Sequence, residues 1–185
     1  MEGMRPYKEY ENLMQNRQIK RALEQAVEIK RENPAQKYKI VGKIGKGAFG
    51  TIFEVQRLSD DKHFALKFTM PKSRAERQTI INECSLMAYL DCDQLLRCEE
   101  VYDYQDRLWV FLELMESDLT KIVVAKNGDF SLEFIKYTLY RVAQGVRRMH
   151  QHNILHRDLK SDNILCNSTG EIKVSDLGFS VFLSE

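Results

Sequence analysis

The spacing of hydrophobic positions changes near residue 37. Up to residue 32, apolar residues recur every three or four positions among charged and helix-forming ones. This period predicts a helix over residues 8–32, and Asn33-Pro34 ends it because the residue before a proline is pushed out of the helical region. The apolar face of this helix is formed by Ile19, Ala22, Leu23, Ala26 and Val27. The helix either packs on its own domain or binds a regulatory partner, and both interpretations stay open.

Beyond residue 37, short β-branched and aromatic runs broken by glycine predict antiparallel strands. The first hairpin comprises Tyr38 to Ile44, then Gly45-Lys46-Gly47-Ala48-Phe49-Gly50, then Thr51 to Arg57. Glycine lets a backbone approach phosphate oxygens closely, so GxGxxG can cover a nucleotide. A dinucleotide-binding fingerprint uses the same glycines but needs a helix afterwards, and here a strand follows. A nucleotide-covering hairpin and a plain structural hairpin remain the two interpretations.

The next two elements predict an internal ion pair. In the strand Phe64 to Phe68, alternation places Ala65 and Lys67 on the face opposite the larger apolar side chains. Residues 74–90 predict an amphipathic helix in which Glu83 is the only charge on a stripe with Ile80, Met87 and Leu90. A buried carboxylate needs a partner, and Lys67 is the obvious cation if the helix packs against that strand. A solvent-exposed lysine and a surface salt bridge from Glu83 to an arginine are the alternatives.

Two further elements follow in the second half of the chain. Leu108 to Leu112 predicts a buried strand that runs into a connector able to present backbone groups to a base. Ser131 begins a long helix, with Glu133 in the first turn, where the helix dipole favours an acid. The core side of this helix is predicted to hold Phe134, Leu139, Val142, Val146 and Met149.

The segment His156 to Asn163 carries the chemistry of a phosphoryl-transfer loop. Asp158 could accept a proton from a hydroxyl, Lys160 could neutralise a transferring phosphoryl group, and Asn163 offers an oxygen to a metal. Residues 164–166 and 171–175 predict a hairpin that returns the chain, so Asp176 is expected near Asn163. Two hard oxygen ligands together with nucleotide phosphates suit magnesium.

Composition excludes several classes of protein. The 185 residues, 43% hydrophobic and 30% charged, suit one globular domain or two small lobes. A net charge of +1 with both signs interspersed gives no basic surface for nucleic acid or an anionic membrane. The longest apolar run has five residues, far below the roughly 18 needed to span a bilayer, and four cysteines without CxxC spacing indicate neither a zinc site nor a disulfide framework. The N-terminus lacks the apolar stretch of a signal peptide, so we expect a cytoplasmic protein.

Taken in order, these motifs resemble those of eukaryotic protein kinases, from the glycine loop to the start of the activation segment. The resemblance covers residues 38–185, and Lys160 within HRDLK is similar to serine/threonine rather than tyrosine kinases. Within the kinases, four segments most resemble the sterile-twenty-like group: Tyr38 onward, Asn82-Glu83, His156 to Leu165 and Asp176 to Ser180. The resemblance implies an α+β bilobal fold, with an antiparallel-sheet N-terminal lobe carrying one helix and an incomplete helical C-terminal lobe. The implied units are an N-terminal helical extension over 1–36, the N-lobe and hinge over 37–115, and a partial C-lobe over 116–185.

The resemblance also implies the cofactors ATP and Mg²⁺ and a role for each motif residue. Lys67 would contact the α- and β-phosphates and pair with Glu83, Asp158 would be the catalytic base beside Lys160, and Asn163 and Asp176 would bind the metal. Gly45, Gly47 and Gly50 would cover the phosphates, and the backbone of Glu113 and Met115 would meet adenine. The pocket would be lined by Ile44, Ile52, Ala65, Leu112, Met115 and Leu165, with Leu112 as gatekeeper.

Three departures from the family pattern affect the predicted function. The metal motif has Leu177 in place of phenylalanine, and the connector after Met115 is shorter than in sterile-twenty-like kinases. Only nine residues follow Asp176, so the activation-loop phosphosite, the APE motif and further helices are expected to be missing, and Phe134, Val142, Val146 and Met149 to be partly exposed. One hypothesis is therefore an incomplete ATP-dependent kinase acting on Ser/Thr hydroxyls of protein substrates. The other is a non-catalytic nucleotide-binding or interaction module that uses the small lobe and the N-terminal helix.

Overall fold

The computed structural model describes residues 17–47 and 50–183. The start of the predicted N-terminal helix, residues 8–16, and Ala48-Phe49 of the glycine motif lie outside the described residues. None of the described helices is long and apolar enough to cross a membrane.

A six-stranded sheet forms the first lobe. Its strands, in spatial order, are β1 (Ile29–Lys30), β5 (Cys98–Tyr104), β6 (Arg107–Glu113), β4 (His63–Thr69), β3 (Gly50–Arg57) and β2 (Tyr38–Gly47). Strands β2 to β6 pair antiparallel, as the sequence predicts. Strand β1 adds a parallel pair with β5 that the sequence did not predict.

The N-terminal helix is shorter than its pattern suggests. Helix α1 spans Arg17–Ala26 in the described chain, so the predicted extension to residue 32 is wrong. Residues 29 and 30 instead pair with β5, because strand pairing there overrides the helical period of the sequence. Asn33 caps a 3₁₀ turn over Pro34–Gln36, accepting a hydrogen bond from the Ala35 N–H at 3.0 Å. The apolar side chains of α1 pack on the core of its own lobe.

Helix α2 (Arg74–Leu90) crosses one face of the sheet. It begins at Ser73, whose Oγ accepts a hydrogen bond from the Glu76 N–H at 3.1 Å. It ends at Asp91, which adopts the left-handed conformation that terminates helices. The predicted stripe of Ile80, Glu83, Met87 and Leu90 is buried. The carboxylate of Glu83 is thereby brought into the core, beside β4.

The second lobe contains two helices and short strand pairs. Helix α3 spans Leu119–Ala125 and helix α4 spans Leu132–Gln151, capped by Ser131. Strands β9 (Ile164–Cys166) and β10 (Ile172–Val174) form the predicted hairpin, which β7 (Ser117–Asp118) joins. Strands β8 (Ile154–Leu155) and β11 (Val181–Phe182) form a separate pair. One hydrophobic core runs from α2 and β5 through to α4 and β10, so it joins both lobes behind the site.

The buried face of α4 differs from the predicted one. Met149 is fully buried, so the expectation of its exposure is wrong, and Leu139 is 64% exposed, so its assignment to the core is wrong. The buried stripe passes through Thr138 and Gly145, with Val142 packed against the core. A Cβ at Gly145 would lie 3.1 Å from the Gln94 carbonyl oxygen, so the missing side chain allows a close approach. Small residues therefore mark the contact face, and the large leucine one position away points outward.

Candidate active site

The ion pair predicted between Lys67 and Glu83 is present. Strand β4 holds Lys67 between β3 and β6, and α2 presents Glu83, with 3.0 Å between Lys67 Nζ and Glu83 Oε2. The two side chains are only 15% and 8% exposed. Burial alone would lower the pKa of the Lys67 ammonium, but the Glu83 carboxylate outweighs burial and raises it. The lysine is therefore held charged at a fixed position.

The glycine hairpin lies beside this pair. Gly45 pairs with Ile52 and Gly47 with Gly50, and Ile52 pairs on its other side with Lys67. The β2–β3 register shifts twice before the turn, between Ile40 and Gly42 and between Lys43 and Gly45. A Cβ at Gly50 would overlap the carbonyl oxygen of Phe68, so only glycine fits there without displacing the backbone. The described strands of the hairpin therefore lie next to the strand position that carries Lys67.

The six predicted pocket-lining side chains belong to three parts of the fold. Ala65 and Leu112 face each other in the β4–β6 pairing. Leu112, Met115 and Leu165 are partly buried and pack against the main core. Ile52 is partly buried on the glycine hairpin, and Ile44, directly before Gly45, is exposed. The structure therefore gathers the first four around the connection between the lobes and places the isoleucines on the hairpin.

Hydrogen bonds organise the loop around Asp158. Its Oδ2 accepts from Lys160 Nζ at 2.8 Å and from Asn163 Nδ2 at 2.9 Å. The same Asn163 nitrogen donates to the Asp158 carbonyl oxygen at 2.9 Å. The ammonium of Lys160 holds the pKa of Asp158 below its ordinary value, and the carboxylate in turn raises the pKa of Lys160. One carboxylate oxygen is thus fixed by two donors, and no hydrogen bond from the described residues engages Oδ1.

His156 connects this loop to the strand that leads to Asp176. It is buried, its Nε2 lies 2.9 Å from the Ser175 carbonyl oxygen, and its Nδ1 lies 3.2 Å from the Asp158 nitrogen. The Asp158 N–H must donate to Nδ1, so the ring proton sits on Nε2 and donates to Ser175. Burial lowers the pKa of His156, which favours this neutral form. The sequence placed His156 in the loop but assigned it no role.

Asp176 is held close to Asn163 because Ser175, the residue before it, is hydrogen-bonded to Asn163. The Asn163 carbonyl oxygen accepts from the Ser175 N–H at 2.8 Å and from the Ser175 hydroxyl at 3.2 Å. Asp176 itself adopts a left-handed conformation, with φ 62° and ψ 67°. Leu177, which follows it, is buried in the core shared with α2. The apolar residue at this position thus anchors the segment, although it is not the phenylalanine of the family.

The donor groups at this place fit magnesium. The amide nitrogen of Asn163 is used by Asp158, so its Oδ1 remains as an oxygen ligand. Within residues 17–47 and 50–183, no hydrogen bond engages the carboxylate of Asp176. Magnesium takes one or two protein oxygens and completes its octahedron with phosphates and water. The pair offers that number and kind of ligand.

One ion pair with a buried lysine was not predicted from the sequence. Lys173 of β10 forms an ion pair with Glu113, the residue that ends β6. Its signal was a single charge inside the short apolar strand Ile172-Lys173-Val174, which is the same kind of signal that identified Glu83.

Arg157, which adopts a left-handed conformation, donates from Nε to the Phe179 carbonyl oxygen at 2.8 Å.

Comparison with curated proteins finds serine/threonine-protein kinases among the proteins similar to this chain. The chain is 31% identical over 159 residues to the serine/threonine-protein kinase pakA of Dictyostelium discoideum, covering 85% of this chain and 13% of pakA. It is 33% identical over 153 residues to the serine/threonine-protein kinase pak-1 of Caenorhabditis elegans, covering 82% of this chain and 26% of pak-1. The chain therefore spans only a small part of the length of these relatives.

Solved structures and a family profile agree with these relatives. The twitchin kinase region from C. elegans superposes with a TM-score of 0.77 at 27% identity, covering 85% of this chain and 29% of that chain. A second twitchin structure, described as an autoregulated protein kinase with immunoglobulin domains, gives the same TM-score and identity and is covered to 36%. The protein kinase domain family matches residues 38–185. The chain therefore belongs to the protein kinase domain family.

Proposed function

We propose that this chain carries an ATP-dependent kinase activity that transfers the γ-phosphate of ATP to Ser/Thr hydroxyls of protein substrates. The observation that carries the proposal is the hydrogen-bonded cluster of Asp158, Lys160 and Asn163. Such a cluster preorganises a carboxylate and a cation around the point where a hydroxyl would attack. We propose the cytoplasm as its location.

Nucleotide binding would use the buried pair and the glycine hairpin. Mg-ATP, when bound, supplies the phosphoryl group and a metal that neutralises part of its charge. Lys67 would contact the α- and β-phosphates, and Glu83 holds the ammonium in place for them. Asn163, through Oδ1, and Asp176 would hold the metal. The phosphates would be covered by the backbones of Gly45, Gly47 and Gly50.

The base would bind where the two lobes meet. Ala65 and Leu112 would contact its faces from the N-lobe, and Leu165 from the second lobe, with Ile44, Ile52 and Met115 completing the pocket. The Glu113 N–H donates to the Arg97 carbonyl oxygen at 3.0 Å, so Glu113 would offer its carbonyl oxygen to adenine. Met115 would offer its N–H. This division gives the base one acceptor and one donor.

Asp158 would act on the substrate hydroxyl. Because its pKa lies below the ordinary value, the carboxylate is ionised at neutral pH and can accept the hydroxyl's hydrogen bond. Its fixed Oδ2 sets the direction of Oδ1. Lys160, which donates to that carboxylate, would stand beside the transferring group and offset its negative charge. Protein chains that present a serine or threonine are therefore the proposed substrates.

Two measurements on the purified chain test this function. Thermal melting with and without Mg-ATP should show stabilisation of about 2.7 kcal/mol at about 100 times the dissociation constant. Labelled γ-phosphate should be transferred to a basic protein rich in serine and threonine. Asp158→Asn should abolish transfer and keep the melting shift, whereas Asp162→Asn, at an exposed acid of the same loop, should keep both. A melting shift without transfer would instead support a non-catalytic nucleotide-binding module, and no shift would refute both functions.

A further inference from the structure

Helix α1 and strand β1, residues 17–30, form an N-terminal segment that supports α2. Among the described helices and strands, α1 is the element that packs most extensively on α2. Leu23 of α1, Val27 directly after this helix and Ile29 of β1 pack against the main core. The kinase function proposed above makes this contact relevant, because α2 carries Glu83.

Helix α2 is held from two opposite sides. Gln78, Ile81, Asn82 and Ser85 recur at helical spacing and line the space facing α1. The stripe around Glu83 faces the sheet and forms the ion pair with Lys67. At about 100° per residue, these two stripes point in roughly opposite directions. Helix α1 therefore supports the back of the helix whose front carries the Glu83 carboxylate.

The N-terminal segment is itself fixed to the sheet. Ile29 and Lys30 pair with Val101 and Tyr102 of β5. Lys30 Nζ also lies 3.0 Å from Glu100 Oε1, and both side chains are largely buried. The segment thus has a firm attachment at β5, just after the end of α1. Because β5 belongs to the same sheet as Lys67, the segment ties α2 to the strand framework that carries its partner.

The contact between α1 and α2 is incompletely filled. A cavity of about 220 Å³ lies between them and is lined by Leu23, Val27, Ile29 and Ile81 together with polar side chains. Atoms that line a void lack packing partners on one side, so removing further side-chain volume there leaves fewer contacts to hold α2 in place. The position of α2 should therefore respond to changes at this contact.

We propose that the N-terminal segment, through Leu23, positions Glu83 for its ion pair with Lys67 and thereby sets the affinity of the site for Mg-ATP. Leu23 is a positioning residue, because it touches α2 and not the nucleotide site. The inference rests on the proposed function only for its nucleotide part. Its structural part, the support of α2, can be measured without nucleotide.

Leu23→Ala removes the contact, and Leu132→Ala makes the same change at an exposed leucine far from it. In hydrogen exchange without nucleotide, Leu23→Ala should speed exchange of the amides of α2 relative to those of β4, and Leu132→Ala should not. Calorimetry should show Mg-ATP binding weakened about fivefold in Leu23→Ala. Leu23→Met, which restores the volume, should recover both. If Leu23→Ala does not fold, the smaller change Val27→Ala should give the same pattern.

A double variant tests whether the effect passes through Glu83. In a Glu83→Gln background, Leu23→Ala should cause no further loss of Mg-ATP affinity. An undiminished loss in that background would overturn the inference, as would unchanged exchange in α2 or unchanged affinity in Leu23→Ala. Absence of Mg-ATP binding by the unsubstituted chain is a different result, because it refutes the proposed function itself. The variant comparison and the unsubstituted chain therefore separate the two failures.

Discussion

Lys173 Nζ lies 2.7 Å from Glu113 Oε1 and 2.8 Å from Glu113 Oε2, although its side chain is only 5% exposed. The pair links the end of β6, where the lobes meet, to the strand that leads into Asp176. The Glu113 side chain is 24% exposed, so the lysine is the more deeply buried partner. A buried ammonium without a counterion is costly, and the carboxylate is what allows it there.

Removing the Glu113 carboxylate should therefore lower the stability of the protein more than removing the Lys173 ammonium. Glu113→Gln leaves the buried Lys173 unpaired and should lower the free energy of unfolding by about 3 kcal/mol. Lys173→Met leaves a carboxylate with access to water and should cost about 1 kcal/mol. Urea unfolding of both variants measures the difference.

The double variant is the control for this pair. Glu113→Gln with Lys173→Met leaves no buried charge, so its stability should approach that of Lys173→Met alone. If Glu113→Gln and Lys173→Met lower the free energy of unfolding equally, burial of Lys173 does not determine how much stability the pair contributes.

The Lys67–Glu83 pair should affect nucleotide affinity. Glu83→Gln removes the charge that fixes the ammonium, so Mg-ATP binding should weaken about tenfold, or about 1.4 kcal/mol. Glu99→Gln makes the same change at an exposed glutamate of β5 and should leave affinity unchanged. Isothermal calorimetry of the two variants gives the comparison. Equal affinities would mean that Lys67 does not need Glu83 to reach the phosphates.

Stability should depend on pH through His156. Burial lowers its pKa in the folded protein, so below an unfolded-state value of about 6.5 the unfolded chain binds the proton first. Stability should therefore fall as pH decreases from 6.5, by up to about 1.4 kcal/mol per pH unit from this residue. Urea unfolding between pH 5 and pH 7 (roughly the range in which histidine titrates) measures the slope.

His156→Gln should flatten that slope, whatever it does to the stability at pH 7. His150→Gln is the matched control. His150 lies on the exposed side of α4, so its substitution removes no buried imidazole ring. A slope unchanged by His156→Gln would contradict the assignment of the acid sensitivity to the buried ring.

Gly50 should resist substitution. A Cβ there overlaps the backbone oxygen of Phe68, which no side-chain rotation can relieve, so Gly50→Ala should cost about 2 kcal/mol of folding free energy. At Gly42, on the partner strand, no described atom lies within 4 Å of the place that a Cβ would occupy, and Gly42→Ala should be nearly neutral. Thermal melting of the two alanine variants provides the measurement. If Gly42→Ala lowered the melting temperature more than Gly50→Ala, the overlap of a Cβ at Gly50 with the Phe68 oxygen would not determine stability.

Local signals in the sequence were enough to predict the principal elements. The apolar period alone predicted helix α2, and a turn signal over residues 167–170 separates the two apolar runs that form the β9–β10 hairpin. The pairing of Glu83 with Lys67 was also predictable, because a lone charge on an apolar stripe requires a partner.

Features that depend on distant contacts could not be predicted in the same way. Ile29 fits a helical period, and only its pairing with Val101 makes it a strand. Leu139 fits the apolar face of α4, but the approach of Gln94 to Gly145 rotates that face away from it. Lys173 carries a signal that needs the position of Glu113 to be interpreted. In each case the deciding neighbour is far along the chain.

The short parallel strand β1 has a consequence for the sheet as a whole. It pairs with β5, whose outer side would otherwise present unpaired backbone groups to other chains. The opposite margin, β2, has two bulges and the exposed lysines Lys39 and Lys43. Bulges and lysines are the devices that discourage strand addition at sheet edges. Both edges are thus protected against pairing between molecules, so removal of residues 29–30 should expose β5 as a site of aggregation.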